Sequence, residues 1–154
     1  MGGVIMALNI SYIKDSFVSA IFFDQLAEVK RQIEEGAEVN KIRTSEDHTA
    51  LAVAILCFRP EIAEELVANG ASECYVGVNG QKHSVWDFIA TSYFAYDKNG
   101  ELLSGEECRE RLKNAIARGK VKCHDALTQC FNNSLVERHD DNRCEEFSPA
   151  NDLG

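Results

Sequence analysis

Thr49-Ala50-Leu51-Ala52-Val53-Ala54-Ile55, continued by Ile62-Ala63-Glu64-Glu65-Leu66-Val67-Ala68-Asn69-Gly70-Ala71, decides how this 154-residue chain is read. Thirty-four positions earlier stands a second version of it. That copy is Asp15-Ser16-Phe17-Val18-Ser19-Ala20-Ile21, continued by Val29-Lys30-Arg31-Gln32-Ile33-Glu34-Glu35-Gly36-Ala37-Glu38-Val39-Asn40. Asp15 to Gly36 is 21 positions, and so is Thr49 to Gly70. A period in this range belongs to short helical repeats, whose units bury their apolar faces only against each other.

Each half of the unit has a physical reading. Phe17, Ala20 and Ile21 share one helical face, as do Leu51, Ala54 and Ile55. Leu26, Val29 and Ile33 form the stripe of a second helix, matched by Ile62, Leu66 and Val67. Gly36 and Gly70 stand where a helix ends and the chain turns left-handed, and Thr49 is placed to cap the next helix. The predicted unit is therefore helix, short turn, helix, glycine stop and extended link.

This is where the chain resembles the ankyrin-repeat family. Gly36-Ala37-Glu38-Val39-Asn40 is similar to the Gly-Ala-Asp-Val-Asn ending of such a repeat. Thr49-Ala50-Leu51 stands for Thr-Pro-Leu, with Ala52 in place of His, and Gly70-Ala71 repeats the stop. A third unit resembles the pattern from Ser84-Val85-Trp86-Asp87-Phe88-Ile89-Ala90 and ends through Leu112, Ala115 and Ile116 at Gly119. Its span of 35 positions implies about 14 inserted residues, near 92–105, and Ser104 with Glu107 forms a capping box that restarts a helix. The resemblance implies an all-α ankyrin-repeat solenoid of stacked helix-turn-helix units with extended finger links, a third-repeat insertion and a capping helix. One domain is expected over 1–138, with units near 10–47, 48–82 and 83–122 and a cap at 123–138. A polar, acidic tail is expected over 139–154.

Composition narrows the function. The net charge of -9 disfavours a nucleic-acid partner, since that binding draws on Lys and Arg contacts to phosphate. No segment approaches the roughly 18 apolar residues of a membrane span. Met1 to Ile10 lacks a basic start and a cleavage site, so the expected location is cytoplasmic and the six cysteines are expected as reduced thiols. No nucleophile elbow, zincin motif, phosphate loop or dinucleotide fingerprint is present, so no enzyme and no cofactor is expected. Cys123, Cys130, His139 and Cys144 are four candidate zinc ligands within 22 residues, but they lack the close paired spacing of a structural site. A small metal-dependent regulator or enzyme built on them is the alternative from another class.

The resemblance implies a protein-binding module, monomeric when free, with a basic protein partner. An immunity protein that stoichiometrically neutralises a toxin is the expected role, and a host- or defence-targeting effector or viral inhibitor is the alternative. The implied surface joins the fingers to the exposed ends of the first helix of each unit. It comprises Glu46 and His48 in one finger, Gln81 and His83 in the next, and the aromatic set Phe22, Phe23, Phe58, Tyr93, Phe94 and Tyr96. Aromatic side chains are frequent carriers of interface energy.

Overall fold

The computed structural model describes residues 14–89 and 93–137. Two helix pairs come first: α1 (Ser16–Phe22) with α2 (Leu26–Glu34), then α3 (Ala50–Leu56) with α4 (Pro60–Ala68). The Asp15 carboxylate accepts the backbone N–H groups of Phe17 and Val18 at 2.9 and 3.0 Å, which starts α1. Thr49 Oγ1 accepts from Ala52 N at 3.3 Å and starts α3. Pro60 sits in the first turn of α4, where its missing N–H costs nothing.

The 34-residue period holds down to single backbone bonds. Asp24 and Phe58 both turn left-handed, with φ of 58° and 53°, between the helices of a pair. Gln25 N donates to Ala20 O and Arg59 N to Ala54 O, each at 2.8 Å. Gly36 and Gly70 stop the second helix of each pair with φ of 102° and 96°, and the following amides of Ala37 and Ala71 close back onto Gln32 O and Leu66 O.

The expected all-α solenoid is not found. The architecture is mixed: among the described residues, five α-helices accompany two small antiparallel two-stranded sheets. β1 (Cys74–Val76) pairs with β2 (Lys82–Ser84) in the register Cys74 to Ser84 and Val76 to Lys82. The helix expected at Ser84 is a single 3-10 turn over Val85–Phe88. Ser84 and Asp87 form a capping box that starts it, yet Ile89 leaves with extended dihedrals. Val85, Trp86, Phe88 and Ile89 are β-branched or aromatic, types that lose side-chain freedom in a helix. The insertion folds as a hairpin of β3 (Ala95–Tyr96) and β4 (Leu102–Leu103). Its turn is fixed by Asp97 Oδ1, which accepts from Asn99 N at 2.8 Å and Glu101 N at 2.9 Å.

The chain then runs through a single helix, α5 (Gly105–Glu137), of 33 residues. Gly119, expected as a stop, lies inside it, and the segment expected as a separate cap continues the same helix. The reason is packing. A Cβ at Gly119 would lie 2.6 Å from Glu64 O and 2.9 Å from Val67 Cβ, so the glycine lets α5 close directly on α4. Arg118 and Lys122 both reach Glu64 across this contact, at 2.9 and 2.5 Å. Phe17, Ile21, Leu51, Ile55, Ile62, Leu66, Leu112 and Ile116 are fully buried and form one continuous core from α1 to α5.

Side chains tie successive segments together at helix ends. Arg59 donates to Ile21 O at 3.2 Å and Phe22 O at 2.6 Å, on the last carbonyls of α1. The Tyr93 hydroxyl donates to Ile55 O at 2.7 Å, at the end of α3, and Arg109 donates to Ile89 O at 2.8 Å. Asn40 joins the two glycine stops: its amide donates to Gly70 O at 3.0 Å and its Oδ1 accepts from Ser72 N at 2.8 Å.

Gly119→Val tests the closest of these contacts. Overpacking against backbone costs about 1–3 kcal/mol, so the thermal midpoint should fall by several degrees. Ala126→Val, at an exposed position of the same helix, is the control for a β-branched side chain alone.

Candidate protein-binding surface

The first edge of the candidate surface lies at the N-terminal ends of α1 and α3. Asp47 and His48 directly precede the cap of α3, and Arg43, from the same finger, pairs with the α1 cap Asp15 at 3.1 Å. Asp47 adopts a left-handed φ of 73°, which turns its carboxylate towards the β1–β2 hairpin. There Oδ1 accepts from Val78 N at 3.0 Å and Oδ2 meets His83 Nε2 at 3.0 Å. The Tyr75 hydroxyl donates to Asp47 O at 2.9 Å, and its ring lies 5.2 Å from that of His83. Gly77 admits this carboxylate, since a Cβ there would fall 1.7 Å from Asp47 Oδ2. The Val78 amide and then His83 hold the Asp47 carboxyl below its ordinary range, while partial burial pushes Tyr75 up to about 12. The two fingers are thereby locked as one unit.

His48 is half-buried, edge-on to Phe88 with ring centroids 5.0 Å apart. Burial pushes its pKa down, outweighing the raising effect of Glu46 and Asp47. Glu46 and Gln81 are exposed. The finger surface also contains two residues absent from the sequence-based set: Val76 and Val78, the latter 83% exposed. Their signal was present in Val76-Gly77-Val78-Asn79-Gly80, where Asn-Gly directly after two valines marks a hairpin tip.

The second edge lies at the opposite ends of α1 and α3. Each of those helices has seven residues, so the edges stand about 10 Å apart or more at 1.5 Å rise per residue. Here Tyr96, Asp97, Lys98 and Asn99 of the β3–β4 hairpin face Asp24 and Phe58-Arg59-Pro60-Glu61 across a groove of about 320 Å³, completed by Arg111. Lys98 Nζ reaches Glu61 at 2.8 Å, and Arg111 lies 4.0 Å from Asp97. Phe23 is 54% exposed, Phe94 44%, Tyr96 48% and Leu102 60%. Phe22, edge-on to Phe23 at 5.0 Å, is half-buried.

The structure therefore divides the ten sequence-predicted residues. Glu46, His48, Gln81 and His83 gather at the finger edge, and Phe22, Phe23, Phe58, Tyr93, Phe94 and Tyr96 at the hairpin edge. Phe58 and Tyr93 are not exposed anchors. Phe58 is 7% exposed and packs into the core, and Tyr93 spends its hydroxyl on the α3 carbonyl while burial pushes its pKa up. Cys57 beside them is likewise a packing residue, its thiol pushed up to about 11 by burial.

Of the four candidate zinc ligands, Cys123 is half-buried and Cys130 exposed on α5, and His139 and Cys144 lie outside the described residues. Among the described residues no group of three His, Cys, Asp or Glu side chains is arranged to hold a metal ion, and no helix is long and apolar enough to cross a membrane. Compared with known proteins, the chain matches no family model, no curated protein and no solved structure.

The pKa of His48 gives this edge a pH dependence with a defined sign. A depressed folded value means that the unfolded chain binds the proton more readily. The contribution of His48 is complete above its unfolded pKa, about 6.5, and declines as pH falls from there towards the lower folded value. An NMR titration should place His48 below 6.5, and His48→Gln should reduce the drop in thermal midpoint between pH 7 and pH 5. A His48 titration above 6.5 reverses the sign.

Proposed function

We propose that this protein is a protein-binding module whose main contact surface is the hairpin edge. The carrying observation is that Phe94, Tyr96 and Leu102 of one hairpin, whose turn is fixed by hydrogen bonds, are all substantially exposed, with exposed Phe23 next in sequence to Asp24 across the groove. Exposed apolar clusters of this kind mark interaction sites more often than isolated surface hydrophobes do. Rigid aromatic anchors lose little conformational freedom on binding, so more of their contact energy survives as affinity. The resemblance of the first two helix pairs to ankyrin repeats, at Gly36 to Asn40 and at Thr49 to Ala71, supports the same class of function.

Within that class we favour stoichiometric inhibition of a basic protein partner in the cytoplasm, as an immunity protein does to a toxin. The charge of -9 and the free thiols of Cys57, Cys74, Cys108, Cys123 and Cys130 support this setting.

The test begins with a photo-crosslinking residue at Tyr96 to capture the partner. With that partner purified, Phe94→Ala combined with Tyr96→Ala should weaken binding at least tenfold, about 1.4 kcal/mol or more, with an unchanged thermal midpoint. Tyr93→Ala should instead lower the midpoint. Normal binding by the Phe94/Tyr96 double variant sinks the assignment of this edge, and co-expression that leaves the partner's toxicity intact sinks the inhibitor role.

A further inference from the structure

We propose that Asn99, at the tip of the β3–β4 hairpin, is a site of spontaneous covalent modification, losing its carboxamide nitrogen as ammonia to become aspartate or isoaspartate. The modification follows from local structure and does not depend on the reading of the hairpin edge as a binding surface.

Asn-Gly occurs three times in the chain, at 69–70, 79–80 and 99–100. The pair is chemically labile because glycine has no Cβ to crowd its backbone nitrogen. That nitrogen attacks the asparagine Cγ and a C–N bond forms. The carboxamide nitrogen then leaves with the amide proton as ammonia. Water opens the resulting succinimide ring at either carbonyl, giving aspartate or isoaspartate. Water is the sole co-reactant, and nothing is oxidised or reduced.

Three identical dipeptides react at similar rates in an unfolded chain, so the fold sets their order. All three asparagines are exposed. The three glycine amides are engaged alike: Gly70 N donates to Val67 O, Gly80 N to Gly77 O and Gly100 N to Asp97 O, each at 3.0 Å. The nucleophile therefore does not distinguish the sites, but the carboxamide does. At the end of α4, Asn69 Nδ2 donates to Glu65 O at 2.9 Å and to Glu65 Oε2 at 3.2 Å. Asn79 Oδ1 accepts from Gln81 N at 3.1 Å. Among the described residues the Asn99 carboxamide has no hydrogen-bond partner.

The two hairpins are a matched pair. Gly77 N donates to Gln81 O at 2.8 Å and Asp97 N to Glu101 O at 2.9 Å, so 77–81 and 97–101 form the same turn. Gly80 and Gly100 fill its left-handed position, with φ of 85° and 82°. The difference lies in the first residue. Gly77 has no side chain, and Asn79 takes the Gln81 amide itself in an Asx-type bond. Asp97 takes the equivalent Glu101 amide at 2.9 Å, which leaves the Asn99 carboxamide free to swing towards Gly100 N. A carboxamide that must first break such a bond reacts about two- to tenfold more slowly.

Asn99 also lines the groove, where Asp24, Glu61 and Asp97 are balanced by Arg59, Lys98 and Arg111. Conversion adds a carboxylate to that lining, and the isoaspartate form lengthens the backbone of the turn.

The test incubates the full chain at mildly alkaline pH, native and in denaturing urea, and locates conversion by acidic pepsin digestion and tandem mass spectrometry. In the native protein Asn99 should convert about two- to tenfold faster than Asn79, with Asn69 slowest, and in urea the three rates should converge. Asn99→Ser should remove most of the ammonia released by the native protein, leaving the thermal midpoint and the rates at Asn69 and Asn79 unchanged. Conversion at Asn69 or Asn79 level with or ahead of Asn99, or none at Asn99 in the native protein, overturns the inference. So does a lead at Asn99 that persists undiminished in urea, since the fold is then not its cause.

Discussion

The rest of the structure depends on how the C-terminal carbonyls of α1 and α3 are satisfied. A seven-residue helix leaves most of its last carbonyls without an internal partner, and these ends are packed against neighbouring segments. In each case the missing donor comes from the next stretch of chain: Arg59 for α1 and Tyr93 for α3. Arg109 does the same for Ile89 after the 3-10 turn. Each tie satisfies a polar group and fixes the position of the following segment. Tyr93 therefore sets where the β3–β4 hairpin begins, and through it where Phe94 and Tyr96 are displayed.

The first half of the fold was legible because local signals and tertiary packing agree there. Asp15 and Thr49 cap, Gly36 and Gly70 stop, and the stripes of Leu26, Val29 and Ile33 and of Ile62, Leu66 and Val67 face inward as their spacing requires. The second half was legible only in pieces, because there packing outweighs local pattern. Ser84 and Asp87 announce a helix that the residues after them do not sustain. Gly119 looks like a terminator in sequence, but it is a contact surface whose partner, Glu64 O, is 55 positions away. No local signal could reveal that distance.

The candidate site divided along the same line. The finger residues and the aromatic set were expected to be exposed; Phe23, Phe94, Tyr96, Glu46 and Gln81 are, whereas Phe58 is buried and Phe22, Tyr93, His48 and His83 are partly covered. That they lie at opposite ends of α1 and α3 was not legible, since it depends on the direction in which the insertion leaves the 3-10 turn. Asp47 was missed for a different reason. Its role needs the left-handed backbone, the glycine at position 77 and the hairpin register together, and none of these alone distinguishes it from a solvated aspartate.

The length of α5 has a thermodynamic consequence of its own. Its first half packs on α4, whereas nearly every described side chain from Val121 to Ser134 is exposed or only partly covered. Beyond Lys122, which still pairs with Glu64, the helix has little tertiary support among the described residues, and such a stretch obeys helix–coil statistics, not all-or-none unfolding. Far-UV ellipticity should therefore drift downward with temperature well before the core transition. Amide protons should exchange in a graded series, faster with each turn beyond Lys122, while those of α3 and α4 wait for global opening.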